Sequence, residues 1–442
     1  MPWHALARRF PVLAIRDFRL LLADRLLAPA AFAFSLVGVS FAVLNATGST
    51  ADLSYVLAAQ IAPSLIFALV GGVVADRVAP QRVIVAANVM IALGEGTFGI
   101  LVLTTHPRVW QMILLEMVTG SGMAIFYPAS QALLPRLVPE GLLQEAFATS
   151  RLAMNAAQMA GAAVAGIFVA AAGPGWALAT CGIGMLGSVP LLLAIRSGGN
   201  ERLPGSNMLR EIRDGWSEFR SHTWLWVIVA QYGVILAAWY GSFEVLGPVV
   251  ARAHLGGPAA WGAITAAESV GLIAGGLASL RFSPRRPMRF VVLMGAAIAI
   301  SPLSLGMLWP LPVVCLASFF LGITLEITMV QWTVVMARNI PRAKLARVSS
   351  YDALGSVVAM PVGAVVAGPV AAAIGVSATD YGAVAVIVVV SALALISREV
   401  RSMRAGDVAS GHDGPQRADP AGPGVSLPGG GEPFVRPAGR TK

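Results

Sequence analysis

Apolar runs of about twenty residues alternate with short polar breaks along almost the whole chain. A helix rises about 1.5 Å per residue, so roughly 20 mostly apolar residues cross the hydrocarbon core of a bilayer. Read with that ruler, the sequence predicts twelve spanning segments, near 20–44, 53–75, 83–104, 109–134, 146–172, 176–195, 223–250, 258–280, 288–309, 311–336, 347–373 and 380–397. Polar residues reach into the segments at 109–134 and 146–172.

The pattern also repeats. The break after the second segment runs from Gly71 to Arg82 and holds Gly71, Gly72, Asp76, Arg77, Pro80 and Arg82. A version displaced by 204 positions runs from Gly275 to Arg286, with Gly275, Gly276, Arg281, Pro284 and Arg286 in register. Gly161 and Gly166 in the fifth segment recur as Gly363 and Gly368 in the eleventh, and Gly120 and Pro139 recur as Gly322 and Pro341, at an offset of 202. Small residues at these places allow helices to approach closely. The expected fold is therefore all-α, with twelve transmembrane helices in two pseudo-symmetric six-helix bundles. Parallel repeats of this kind belong to transporter architectures, with the site between the repeats near the midplane.

Composition supports lipid as the solvent. The chain is 57% hydrophobic and 12% charged, with a mean hydropathy of +0.75. A soluble domain is about one-quarter charged. The net charge of +9 does not indicate nucleic acid, because the charges sit in short inter-helix breaks. Loops rich in Lys and Arg face the cytoplasm. With both termini cytoplasmic, the outward loops hold only Arg108 and Arg252. Only two of the 31 basic residues are lysines, Lys344 and Lys442, which with abundant Ala and Gly suggests a bacterial inner-membrane protein. No cleavable leader is expected. The two cysteines, Cys181 and Cys315, fall in apolar runs and give no disulfide framework or metal site.

The expected organisation is a bundle over 1–195, a linker over 196–222, a bundle over 223–402 and a disordered cytoplasmic tail over 403–442. In the linker, Leu209, Ile212, Trp216 and Phe219 share one helical face, while Glu211, Arg213, Asp214 and Glu218 mostly point away. That reads as an amphipathic helix on the membrane surface, or as a solvated linker.

Gly72, Asp76 and Arg77 resemble the signature loop of the major facilitator superfamily, with Ala79, Pro80 and Gln81 standing where Gly-Arg-Arg or Gly-Arg-Lys is usual and Arg82 restoring a basic residue. A narrower resemblance rests on four further stretches. They are Asn45 to Ser49, Phe126 to Ala129 with Ala132 to Pro139, Arg210 to Trp216, and Arg347 to Ser350. These are similar to the drug:proton antiporter branch that contains macrolide-type efflux pumps and enterobactin-type siderophore exporters. The resemblance implies proton-driven export of a bulky organic molecule. Antiporters of the superfamily often carry Gly-Pro in the fifth helix; here Gly161-Ala162 stands there, and Gly368-Pro369 lies in the eleventh.

Apart from the resemblance, Asp76, Arg77 and Arg82 can tie two helix ends together through charge-assisted hydrogen bonds, or serve only as a basic topogenic turn. Acids at membrane depth are costly and usually functional. The candidates for proton or substrate are Glu95, Glu116, Glu244, Glu268 and Glu326, with Glu268 and Glu326 the preferred pair. Each has a structural alternative, a Glu hydrogen-bonded to a neighbouring helix. Asp24 and Arg25 in the first helix can pair, line an inward cavity or join a gate, with a snorkelling Arg25 favoured. Asn88, Asn155, Gln158 and Gln331 are candidates for substrate contact or interhelical bonds, and Trp239, Tyr240 and Trp332 for stacking or packing.

The expected partners are a small-molecule substrate, protons and the lipid bilayer, with a monomer as the working unit and no cofactor. Enzymatic readings are weak. A phosphate-binding loop needs Gly-Lys-Ser/Thr, but Lys344 precedes Leu345 and Lys442 is terminal; no His-Glu-x-x-His is present. An importer of a small nutrient and a non-transporting sensor remain as alternatives to an exporter.

Overall fold

The computed structural model describes residues 11–77, 79–196, 216–217, 219–282, 284–340, 348–349, 351–352 and 355–403, with the side chains of 66–77, 127 and 402 excepted. The described residues are helical throughout, with no strand among them. The first half holds α1 (Arg16–Thr47), α2 (Thr50–Arg77), α3 (Pro80–Thr104), α4 (Val109–Leu137), α5 (Leu143–Ala172) and α6 (Pro174–Leu193). The second holds α7 (Thr223–Leu255), α8 (Pro258–Ser279), α9 (Pro287–Gly306), α10 (Leu311–Asn339), α11 (Gly355–Ile374) and α12 (Val376–Ala394). Among the described residues, eleven of these are long and apolar enough to cross a membrane; α2, whose later side chains are not described, occupies the position of the remaining expected span.

Two helices differ from simple rods. α7 runs on to Leu255 and contains two π-helical stretches, Tyr240–Leu246 and Ala251–Leu255. α9 is interrupted between Ala297 and Ile300. Pro starts α3, α6, α8, α9 and α10 at or next to the first helical position, where its missing N–H costs nothing. The tight α5–α6 and α11–α12 turns use Gly173 (φ 90°) and Gly375 (φ 91°), a backbone that side chains resist. Their spacing repeats the 202-residue offset.

The packing repeats as well. α1 lies against α5 and α6, α3 against α4 and α6, and α2 against α4. In the second half α7 lies against α11 and α12, α9 against α10 and α12, and α8 against α10. Exchanging the halves maps each contact onto its counterpart. The bundles meet along two seams, α5 on α8 and α2 on α11, which that exchange also interconverts.

The cores show how the bundles sit. At the end that carries few basic residues, one continuous apolar core joins Phe41 and Leu53 of the first bundle to Phe243, Trp261 and Ala367 of the second. At the Arg-rich end there are two separate cores. One contains Phe18, Leu21, Ile84 and Leu133; the other contains Trp224, Met288, Val335 and Val400. Among the described residues, the bundles share one core at the Arg-poor end and have separate cores at the Arg-rich end.

The expected surface helix of the linker lies mostly outside the described residues. Of its apolar face, Phe219 is buried in the second bundle's Arg-rich core, and it stacks on the exposed Trp216 with ring centroids 5.7 Å apart. Phe219 therefore anchors the linker to protein.

Candidate functional site

The α5 surface that faces the second bundle changes character along its length. Arg151, Asn155, Gln158, Ala162 and Gly166 recur every three or four residues, which places them on one stripe. Its Arg-poor part is small. A Cβ on Gly166 would lie 2.7 Å from the Gly262 Cα of α8, so the backbones meet there without side chains between them. Gly368 of α11 likewise meets Ser54, Thr50 and Ala51 of α2. Gly161 and Gly363, one turn earlier, serve a different contact, packing on Ala30 of α1 and Ala237 of α7 within their own bundles.

The Arg-rich part of the stripe is polar. Arg151 forms a two-pronged ion pair with Glu326 of α10, Nε to Oε1 at 3.0 Å and Nη2 to Oε2 at 2.7 Å. This bond crosses between the bundles where their cores are separate. The Glu326 side chain is nearly covered (8% exposed), while Arg151 is half exposed (53%). Gly275 and Gly276 of α8 make room for it: a Cβ at Gly275 would sit 3.1 Å from the Glu326 Cβ. The second Gly-Gly copy thus acts beside a membrane-depth acid.

The other acids fall into two neighbourhoods, Glu95 near Glu116 and Glu244 near Glu268. Glu95 of α3 is fully buried inside the first bundle and accepts from Ser35 of α1 at 2.6 Å. Glu116 of α4 is equally buried and accepts from Gln60 of α2 at 2.7 Å. Glu116 Oε1 has no hydrogen-bond partner. Glu244, in the first π-helical stretch of α7, and Glu268 of α8 are partly exposed and lie within electrostatic range of each other. Of the two acids preferred from the sequence, Glu326 faces Arg151, and Glu268 lies within electrostatic range of Glu244.

Arg25 does not snorkel. It is 3% exposed, donates from Nη2 to the Ser130 carbonyl at 3.3 Å, and sits 5.6 Å over the Phe126 ring. Helix α1 places it toward α4. Asp24 turns instead toward Asn88, 3.4 Å away, whose amide also donates to Ser188 at 2.6 Å. Adjacent residues on a helix do not face each other, and no hydrogen bond joins Asp24 to Arg25.

At the signature loop, the side chains of Gly72, Asp76 and Arg77 lie outside the described residues. Arg82 is exposed in the first turn of α3. The departures from the family pattern have structural work. Pro80 begins α3, and Gln81 donates to the Leu192 and Ile195 carbonyls at 2.5 and 3.0 Å, closing the end of α6. Gln331 donates to the Phe282 carbonyl, Trp332 to Asp352, and Trp239 and Tyr240 are packed in the joined core.

Two residues escaped the sequence reading. Arg151 lies inside the fifth predicted segment, and its spacing to Asn155 and Gln158 was the available signal. Asp380, the first residue of the twelfth segment, is not among the acids singled out; it is fully buried and accepts from Ser242 of α7. A cavity of about 550 Å³ at the Arg-poor end of the second bundle, bordered by Val249, His254, Leu308 and Tyr381, touches none of the acids above.

Two six-helix bundles that share a core at one end, part at the other and carry charge between them define a multi-pass membrane transporter. The chain belongs to the Major Facilitator Superfamily, whose sequence pattern matches residues 26–351. It is 24% identical to macrolide efflux protein A of Streptococcus pyogenes over 356 residues, covering 77% of this chain and 86% of that protein. It is 26% identical to the enterobactin exporter EntS of Escherichia coli O1:K1 / APEC over 347 residues, covering 76% and 81%. Among solved structures, the nucleoside transporter NupG aligns with a TM-score of 0.70 at 10% identity, over 88% of this chain and all of that one. A bacterial homolog of the human lysosomal transporter Spinster aligns at 0.68 and 16% identity, covering 86% and 96%. These last two speak for the fold.

Proposed function

We propose that this transporter exports a bulky organic compound by alternating access, driven by proton entry. The observation that carries the reading is the Arg151–Glu326 pair, an ion pair spanning the bundles at the end where they are otherwise apart. The separate cores supply the opening, and the names of the macrolide and enterobactin relatives favour export.

The Lys and Arg distribution assigns the Arg-rich end, and both termini, to the cytoplasm. Substrate then enters from inside, between the polar half of the α5 stripe and α8–α10. Glu326 holds Arg151 while it is a carboxylate. A proton on Glu326 removes the charge that binds the guanidinium, so the link between α5 and α10 weakens and the bundles are free to rock. Glu244 and Glu268 sit where a second proton or a cationic group of the substrate can be held. Glu95 and Glu116 are buried acids of the first bundle, and Glu116 lies within electrostatic range of Tyr240 of α7. Asp76, Arg77 and Arg82 belong to the closure of the Arg-rich end in the opposite state.

The test uses everted vesicles with an acidified lumen, in which outward transport appears as uptake. Proton-dependent uptake of a lipophilic dye or a macrolide supports drug export. Less siderophore in the medium after gene deletion supports the siderophore branch. Movement of solute only in the opposite sense makes the protein an importer.

A further inference from the structure

The joints that hold the Arg-poor end closed are almost all apolar or small: the Gly166–Gly262 contact, the Gly368–Thr50 contact and the shared core around Phe243 and Trp261. One joint is polar and charged. Arg252, in the last π-helical stretch of α7, donates from Nη1 to the Leu44 carbonyl of α1 at 2.5 Å. α7 and α1 belong to different bundles. The acceptor is also unusual, because Leu44 is in the last turn of α1 and its carbonyl already receives the capping N–H of Gly48 at 3.0 Å. A guanidinium there meets both a terminal carbonyl and the negative end of the helix dipole.

The sequence gives this cation further weight. Arg108 and Arg252 are the basic residues expected in the Arg-poor loops. Arg252 reaches across the division. A hydrogen bond weakens steeply beyond about 3.2 Å, so this one is lost as soon as α1 and α7 part by a few ångströms.

We propose that Arg252 is a positioning residue of the transport cycle: a latch between α7 and the end of α1 that holds the Arg-poor end shut while the Arg-rich end stands open. The proposal rests on the alternating-access reading. Its partner is a main-chain carbonyl, so the latch depends on where α1 ends and not on the side chain at position 44.

Double electron–electron resonance on the full chain in lipid nanodiscs tests it. With Cys181→Ala and Cys315→Ala as background, spin labels at Thr105→Cys and Ala378→Cys report the Arg-poor end. Labels at Glu140→Cys and Arg285→Cys report the Arg-rich end. Arg252→Ala is expected to raise the ratio of open to closed Arg-poor end roughly ten-fold, the usual weight of a hydrogen bond to a charged group, with the Arg-rich end closing in step. Arg252→Lys, which keeps the charge but not the planar fork, gives a smaller shift in the same direction. If the wild-type distances respond to pH while those of Arg252→Ala match them in every condition, the latch is overturned and alternating access stands. If the wild-type distances never move, the rocking motion is removed and the latch with it. A monodisperse, helical Arg252→Lys protein with wild-type distances also counts against the latch, even where Arg252→Ala fails to fold.

Discussion

Among the five membrane-depth glutamates, Glu326 alone has a cationic partner among the described residues, and that difference makes it the sharpest residue-level target. Glu326→Gln keeps the shape and a hydrogen-bond acceptor but removes the charge that Arg151 senses. We expect Glu326→Gln to exchange substrate across the membrane at equilibrium yet to lose accumulation driven by an acid lumen in everted vesicles. Full proton-driven accumulation in that variant would sink the assignment of Glu326 as the coupling acid. Arg151→Gln should show the same loss with little change in thermal stability. Arg151 is half exposed, and pairs of that kind contribute about 1 kcal/mol or less after screening by solvent. Arg151→Lys should recover only part of the coupling, because an ammonium cannot reproduce the two parallel bonds to the carboxylate. Adding Glu268→Gln to Glu326→Gln tests whether the Glu244–Glu268 neighbours contribute a second proton. A second contribution appears as a further fall in any residual pH dependence.

At the scale of the helix, glycines spaced five apart do two different jobs. Gly161 packs inside the first bundle, where a Cβ would lie 2.6 Å from the Ala30 carbonyl oxygen. Gly166 packs between bundles, on Gly262. A side chain at 161 clashes in every conformation, so Gly161→Val should destabilise the protein by about 1–3 kcal/mol, read as a lower melting temperature in detergent. A side chain at 166 clashes only when the Arg-poor end is closed. Gly166→Val should therefore leave the melting temperature nearer to wild type while abolishing transport; equal melting losses for the two would refute the distinction. These glycines were legible because the offset of 202 picked them out, and the all-helical membrane fold was legible because apolar length is set by the bilayer. What the sequence concealed was which helices face each other. Arg151 and Glu326 are 175 positions apart, and only the α5–α8 seam brings their neighbourhoods together. Arg25 was misjudged because a long cation near a helix end ordinarily reaches for water, whereas here α4 offers it a carbonyl and an aromatic face. The break in α9 and the first π-helical stretch of α7 have no counterpart in the apolar run lengths, which pass through them without interruption.

For the whole molecule, the arrangement of cores fixes which surfaces water can reach. One core spans both bundles at the Arg-poor end, and separate cores lie at the other, so the α5 stripe should be wet at Asn155 and Gln158 and dry at Ala162 and Gly166. Single cysteines at Asn155, Gln158 and Ala162, in a background of Cys181→Ala and Cys315→Ala, convert that division into a measurement. With the Arg-rich end in the cytoplasm, a membrane-impermeant thiol reagent should label Asn155→Cys and Gln158→Cys in everted vesicles and leave them unlabelled in intact cells. Glu140→Cys, in the exposed turn before α5, marks the same side as a control. Ala162→Cys should stay unlabelled from either side while the Arg-poor end is closed. Labelling of Asn155→Cys from outside intact cells, with Glu140→Cys protected, would mean that the open cleft faces outward and that the cytoplasmic loading step is wrong. Labelling of Glu140→Cys itself from outside would reverse the topology read from the arginines. Protonation supplies the last comparison. If release of Arg151 by Glu326 is what lets the bundles rock, acid conditions should lower the reactivity of Asn155→Cys, and Glu326→Gln should lower it at every pH.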